Sequence, residues 1–168
     1  MRPRGLKGAI LVSRRKKTHF REAVEQTPEV QDFYRPGLQA LKDSEKQHVQ
    51  CEDTRRLTGS LSLDDAFKKT HPNEPVWDYA VGYNHFNKGD KVTWIEFHPA
   101  SSDHVAEVLR KLSWLKNWLT KKAVPLHSMT DRYCWVATGR IVITANSKQA
   151  KVIASRGLEG PMKQVVLR

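Results

Sequence analysis

The sequence of 168 residues predicts a mixed α/β (α+β) domain, with a central sheet of about five strands and one long amphipathic helix packed on a face. Three observations carry this reading. Two β-rich runs, residues 76–83 and 91–98, flank a polar loop. An apolar stripe at helical spacing follows over residues 103–121, and further β-rich runs come after it. A chain of this length buries about 70 % of its unfolded surface, so a core can form without disulfides or metal.

Taken in order, residues 1–30 read as a basic, largely irregular or weakly helical segment ending near Thr27-Pro28, and residues 31–168 as a single α/β domain. Residues 31–50 fit a helix interrupted early by Arg35-Pro36-Gly37, with Leu38, Leu41 and Glu45 following at helical spacing. Leu57 to Leu63 reads as a half-buried strand with Leu57, Leu61 and Leu63 on one face. Asp64 to Pro75 contains Pro72, Asn73 and Pro75 and is loop or short helix. Val76 to Tyr83 is a strand with Trp77, Tyr79, Val81 and Tyr83 on one side. Lys91 to His98 is its antiparallel partner, ended by Pro99. Ser102 or Asp103 caps the long helix, whose Val105, Val108, Leu109, Leu112, Leu115 and Leu119 repeat at three and four. Lys121-Lys122 suit its C-terminal dipole. Strands at 133–137 and 140–144 join through a tight turn at Thr138-Gly139. A helix over 147–156 stopped at Gly157, then a strand from Gln164 to Leu167, complete the series.

The formal charge of +11 sits at the two ends. Residues 1–21 carry +8, residues 22–60 carry −3, residues 61–131 are neutral, and residues 132–168 carry +6. The Arg14-Arg15-Lys16-Lys17 run points to a polyanion, because each phosphate contact releases condensed counterions. Arg132 and Arg140 on the basic C-terminal third are the matching candidates there. A solvated tail that aids solubility is the alternative for the basic run. No apolar stretch approaches the roughly 18 to 20 residues of a membrane span, and Ala9-Ile10-Leu11-Val12 is too short for a signal-peptide core. Cys51 and Cys134, with no CxxC spacing, read as reduced thiols, so the expected location is cytoplasmic.

The residues that could carry chemistry lie in the predicted hairpin. Alternation puts Val92, Trp94, Glu96 and His98 on one face of the second strand, with Glu96 and His98 about 7 Å apart. With Tyr83 opposite Lys91, the pairing carries on to set Asp78 across from Glu96, their Cβ atoms about 5 Å apart. A slip of one residue would send Asp78 to the other face. Opposed carboxylates repel unless a cation or proton lies between them, and such a pair suits Mg²⁺ or Mn²⁺. His98 could then deprotonate or position a water on that metal. The competing reading of Asp78, Glu96 and His98 is a solvated face, or a charge network with Lys91 or the C-terminal strands.

With these residues in view, the chain over about residues 38–144 resembles the PD-(D/E)xK, restriction-endonuclease-like, nuclease superfamily. There the Asp stands on the second core strand and the (D/E)xK motif on the third, here Asp78 and Glu96-Phe97-His98. The resemblance implies a restriction-endonuclease-like core and a Glu on the preceding helix, which Glu45 or Glu52 matches by position. The chain departs from the pattern in two places: His98 stands at the lysine position, and Trp77 precedes Asp78 where the family often has proline.

Elsewhere the signals are weaker. His98 and His104 sit on a strand end and a helix start, a spacing with no fixed geometry, so no zinc site is expected. Trp114 and Trp118, near Lys111, Lys116 and Lys122, read as core-edge packing, as a stacking platform for bases, or as a homodimer contact. The resulting expectation is a Mg²⁺- or Mn²⁺-dependent nucleic-acid phosphodiesterase with Asp78 and Glu96 on the metal and His98 as third catalytic residue. The alternative is a non-catalytic nucleic-acid-binding or protein-interaction module on the same scaffold.

Overall fold

A computed structural model describes residues 17–168. The fold is mixed α/β. Its main sheet contains β1 (Tyr34–Arg35), β3 (Leu57–Ser62), β4 (Tyr79–His85), β5 (Gly89–Ala100), β6 (Thr130–Ile141) and β7 (Leu158–Met162), with β1-β3-β4-β5-β6-β7 as the spatial order. Neighbours from β1 to β5 are antiparallel, whereas β5–β6 and β6–β7 are parallel. A second sheet pairs β2 (Val49–Cys51) in parallel with β8 (Val165–Leu167).

Strand alternation divides the core between the two faces of the main sheet. Ala80, Val92, Trp94 and Trp135 point towards α1 (His19–Glu25), α4 (Val105–Lys122) and α5 (Val124–Met129). Tyr79, Val81, Tyr83, Ile95, Phe97, Cys134 and Val136 point the other way, against Val49, Val165 and Leu167 of the small sheet. The connection from β5 to β6 runs through α4 and α5, as a parallel pair requires.

All six residues of the expected apolar face of α4 are buried, and Trp118 joins them. A 3₁₀ turn at Ser102–His104 precedes α4, and neither Ser101 nor His104 donates a side-chain cap. Trp114 and Trp118 stack on each other and meet Phe67 edge to face. This pair thus packs at the edge of the chain's own core, with Trp118 buried and Trp114 partly exposed. No helix among the described residues is long and apolar enough to cross a membrane.

Several elements differ from expectation, each for a physical reason. Residues 18–30 are not irregular: the Thr18 hydroxyl caps α1, and Phe20, Ala23, Val24 and Val30 are buried in the core. The packed unit therefore begins before residue 31. Residues 31–50 form no long helix but turns, β1, the short α2 (Asp43–Lys46) and β2. Trp77 precedes β4 and packs on the helical side, opposite Tyr79. Thr138-Gly139 is no turn; β6 runs through it, with Gly139 at φ +112°. Strand β7 adds to the expected set; it carries Gly160 and Pro161, and as an edge strand it tolerates a proline. The helix α6 (Lys148–Ser155) ends before Gly157, at φ +74°, as its position suggested.

Candidate active site

The register of β4 against β5 pairs Tyr83 with Lys91 and Tyr79 with Ile95, which brings Asp78 opposite Glu96. Each carboxylate accepts a backbone N–H from the other segment. The Asp78 N–H donates to Glu96 Oε2 at 3.0 Å, and the Phe97 N–H donates to Asp78 Oδ2 at 2.9 Å. One oxygen of each carboxyl is thereby held by the backbone. The other two oxygens, Asp78 Oδ1 and Glu96 Oε1, both face the ammonium of Lys111, at 3.6 Å for Asp78 and in a close ion pair for Glu96.

Lys111 comes from α4. It lies three residues after Val108 and four before Leu115, on the edge of the buried stripe, so its stem runs along the sheet-facing side of the helix. The same helix line carries His104 and Glu107, at i−7 and i−4. Together with Glu96 and His98 of β5, these residues make a polar seam between strand and helix. His98 Nδ1 lies 3.5 Å from Glu96 Oε1, the oxygen that also takes Lys111. His98 Nε2 lies 3.3 Å from Glu107 Oε2 and 3.2 Å from His104 Nδ1.

Burial sets the electrostatics. The Glu96 side chain has no exposed surface and that of Asp78 is 23 % exposed. Desolvation, then repulsion from Glu96, pushes the Asp78 carboxyl up to about 7 against the opposing pull of Lys111. Burial disfavours the charge on Lys111, but the two carboxylates outweigh it and hold its pKa above the ordinary lysine value. The bond to Glu96 raises His98 in the same way. Of the two acids matched by position, Glu45 accepts the Tyr79 hydroxyl proton and adds to the upward push on Asp78, while Glu52 is exposed.

Asp78, Glu96 and His98 are therefore brought together, and Lys111, noted in the sequence only as a neighbour of Trp114 and Trp118, joins them. Arg14, Arg15 and Lys16 lie outside the described residues. Lys17 pairs with Glu25 at 2.6 Å, and Arg132 is bound to Glu159 and to the Val166 carbonyl. Arg140 is exposed towards the end of β6. Beside the seam, Lys111 and Glu107 line a cleft of about 480 Å³ together with Lys68, His71 and Arg110.

In donor type and number, Asp78 Oδ1 and Glu96 Oε1 fit a hard divalent cation, because two carboxylate oxygens already converge on one cationic atom. Comparison with family models, curated proteins and solved structures finds no match to this chain, so the functional reading rests on the geometry alone.

Proposed function

We propose that the chain is a metal-dependent nucleic-acid phosphodiesterase, nuclease-like in mechanism, with Asp78 and Glu96 holding Mg²⁺ or Mn²⁺. The observation that carries this is the convergence of a buried and a partly exposed carboxylate from neighbouring strand segments, with a lysine, beside a cleft. Such a metal, when bound, acidifies water and offsets charge developing at phosphorus. Lys111 supplies the positive charge that the PD-(D/E)xK resemblance places two residues after the Glu, but from the helix. His98 holds Glu96 through Nδ1 and is turned towards Glu107 and His104 with Nε2, so it positions the carboxylate and not the water. Arg110 and Lys68 on the cleft provide phosphate contacts, and the basic ends of the chain favour a polyanion.

The test is cleavage of single- and double-stranded DNA and RNA with Mg²⁺ or Mn²⁺. Asp78→Asn and Glu96→Gln are expected to lose activity by at least ~100-fold with the fold intact by circular dichroism. Undiminished cleavage in both variants, or none by the parent chain with any substrate, overturns the proposal. The second reading, a non-catalytic binding module, is favoured by one observation. Lys111 already occupies the point between the carboxylates and closes the cluster on itself. Retained nucleic-acid binding without cleavage identifies that case.

A further inference from the structure

We infer that His98, His104 and Glu107 form a binding site for a zinc-class transition-metal ion, linked to the Asp78/Glu96 pair through His98 but not resting on the proposed phosphodiesterase activity. The three donor atoms, His98 Nε2, His104 Nδ1 and Glu107 Oε2, all lie within 4.8 Å of one another. Their separations are 3.2, 3.3 and 3.8 Å. Zinc bonds of about 2.0–2.1 Å in a tetrahedron place neighbouring donors about 3.3–3.4 Å apart, so these three atoms lie close to one face of such a site. Two imidazoles and one carboxylate, leaving a fourth position for water, suit Zn²⁺ or Co²⁺ and are poorly matched to Mg²⁺, which prefers oxygen.

A second observation concerns the other side of the ring. His98 Nδ1 faces Glu96 Oε1 at 3.5 Å, and Glu96 is fully buried. A carboxylate at Nδ1 fixes the proton there and directs the Nε2 lone pair outward, towards His104 and Glu107. This is the support that metal-ligating histidines commonly receive. It also accounts for two imidazole nitrogens standing 3.2 Å apart next to a carboxylate at the mouth of the seam. The ligands come from two elements: His98 from β5, and His104 and Glu107 from the start of the long-helix region. A bound ion would pin the N-terminal end of α4 to the far end of β5. Glu107 also lines the cleft beside Lys111, so the open ligand position would be reached from there.

The experiment is titration of the untagged full chain, stripped of metal, with Zn²⁺ alone by calorimetry and with Co²⁺ by visible absorption. The expected result is one saturable site, intense tetrahedral Co²⁺ bands, and no displacement by millimolar Mg²⁺. Thermal unfolding should rise by about 5 °C or more at a hundredfold excess of Zn²⁺ over Kd. His104→Ala and Glu107→Gln alter partly exposed side chains, so both variants should fold, and each should weaken binding by at least ~10-fold and abolish the Co²⁺ bands. Absence of a saturable site, or a site kept at parental affinity in both variants, overturns the inference. Because neither variant touches Asp78, Glu96 or Lys111, failure of this site and failure of the proposed nuclease activity are read separately.

Discussion

Lys111 and Glu96 stabilise the fold only as a pair. The Glu96 carboxylate is enclosed on all sides, and its Oε1 accepts both Lys111 and His98. Removing one partner of a buried ion pair leaves an uncompensated charge, which costs about 3–5 kcal/mol, whereas removing both is often close to neutral. Lys111→Met should therefore destabilise the chain by about 3 kcal/mol in urea unfolding. In the background of Glu96→Gln the same change should cost about 1 kcal/mol or less. Equal costs in the two backgrounds would show that Lys111 acts through packing alone. The lysine was hard to read from sequence because helix periodicity places it at the edge of the apolar stripe, where a solvated side chain is equally compatible. Only the position of α4 over β5 turns it inward. Asp78 and Glu96 were legible together only through the assumed pairing of Tyr83 with Lys91, which is the register β4 and β5 adopt.

At the scale of elements, the space left by Gly82 decides how closely Phe20 of α1 packs on the sheet. Gly82 of β4 has no side chain, and a Cβ there would lie 2.6 Å from Phe20 Cγ. Asp90 completes the junction by accepting both the Phe20 N–H at 2.9 Å and the Thr58 hydroxyl at 2.7 Å. Gly82→Ala should push α1 away from β4 and destabilise the chain by about 1–3 kcal/mol in chemical denaturation. A loss under half a kcal/mol would show that α1 shifts without cost. The sequence reading left this segment between irregular and weakly helical, because the seven residues of the helix follow a strongly basic run and their few apolar positions show no long stripe. Likewise His98 and His104 looked unrelated, since their meeting depends on the angle at which the 3₁₀ turn leads from β5 into α4 and on no fixed spacing.

For the molecule as a whole, the raised Asp78 and His98 give stability around neutral pH a dependence of one sign. In metal-free buffer the native state binds protons more tightly than the unfolded chain, at Asp78 between its ordinary value and about 7, and at His98 above its ordinary value. Stability is then greatest on the acid side of this window and declines as pH rises through it. Urea midpoints should fall from pH 5.5 to pH 8, and Asp78→Asn should reduce that fall. A midpoint rising over this range, or an unchanged slope in the variant, would contradict the burial of Asp78 beside Glu96. The mixed α/β class was legible from the period of apolar residues alone. The strand count was not, because β6 continues through Gly139 and β7 carries Gly160 and Pro161, residues that ordinarily mark turns.

The small second sheet has a consequence for how the chain is made. Strand β2 finds its partner in β8, and His48 contacts the Lys163 carbonyl 115 positions further along. Until that distant stretch leaves the ribosome, Tyr79, Val81, Ile95 and Phe97 have no lid, although β3, β4 and β5 can already pair. A nascent chain thus carries a sticky, half-covered sheet until residues 165–167 emerge, which is the kind of surface that chaperones bind.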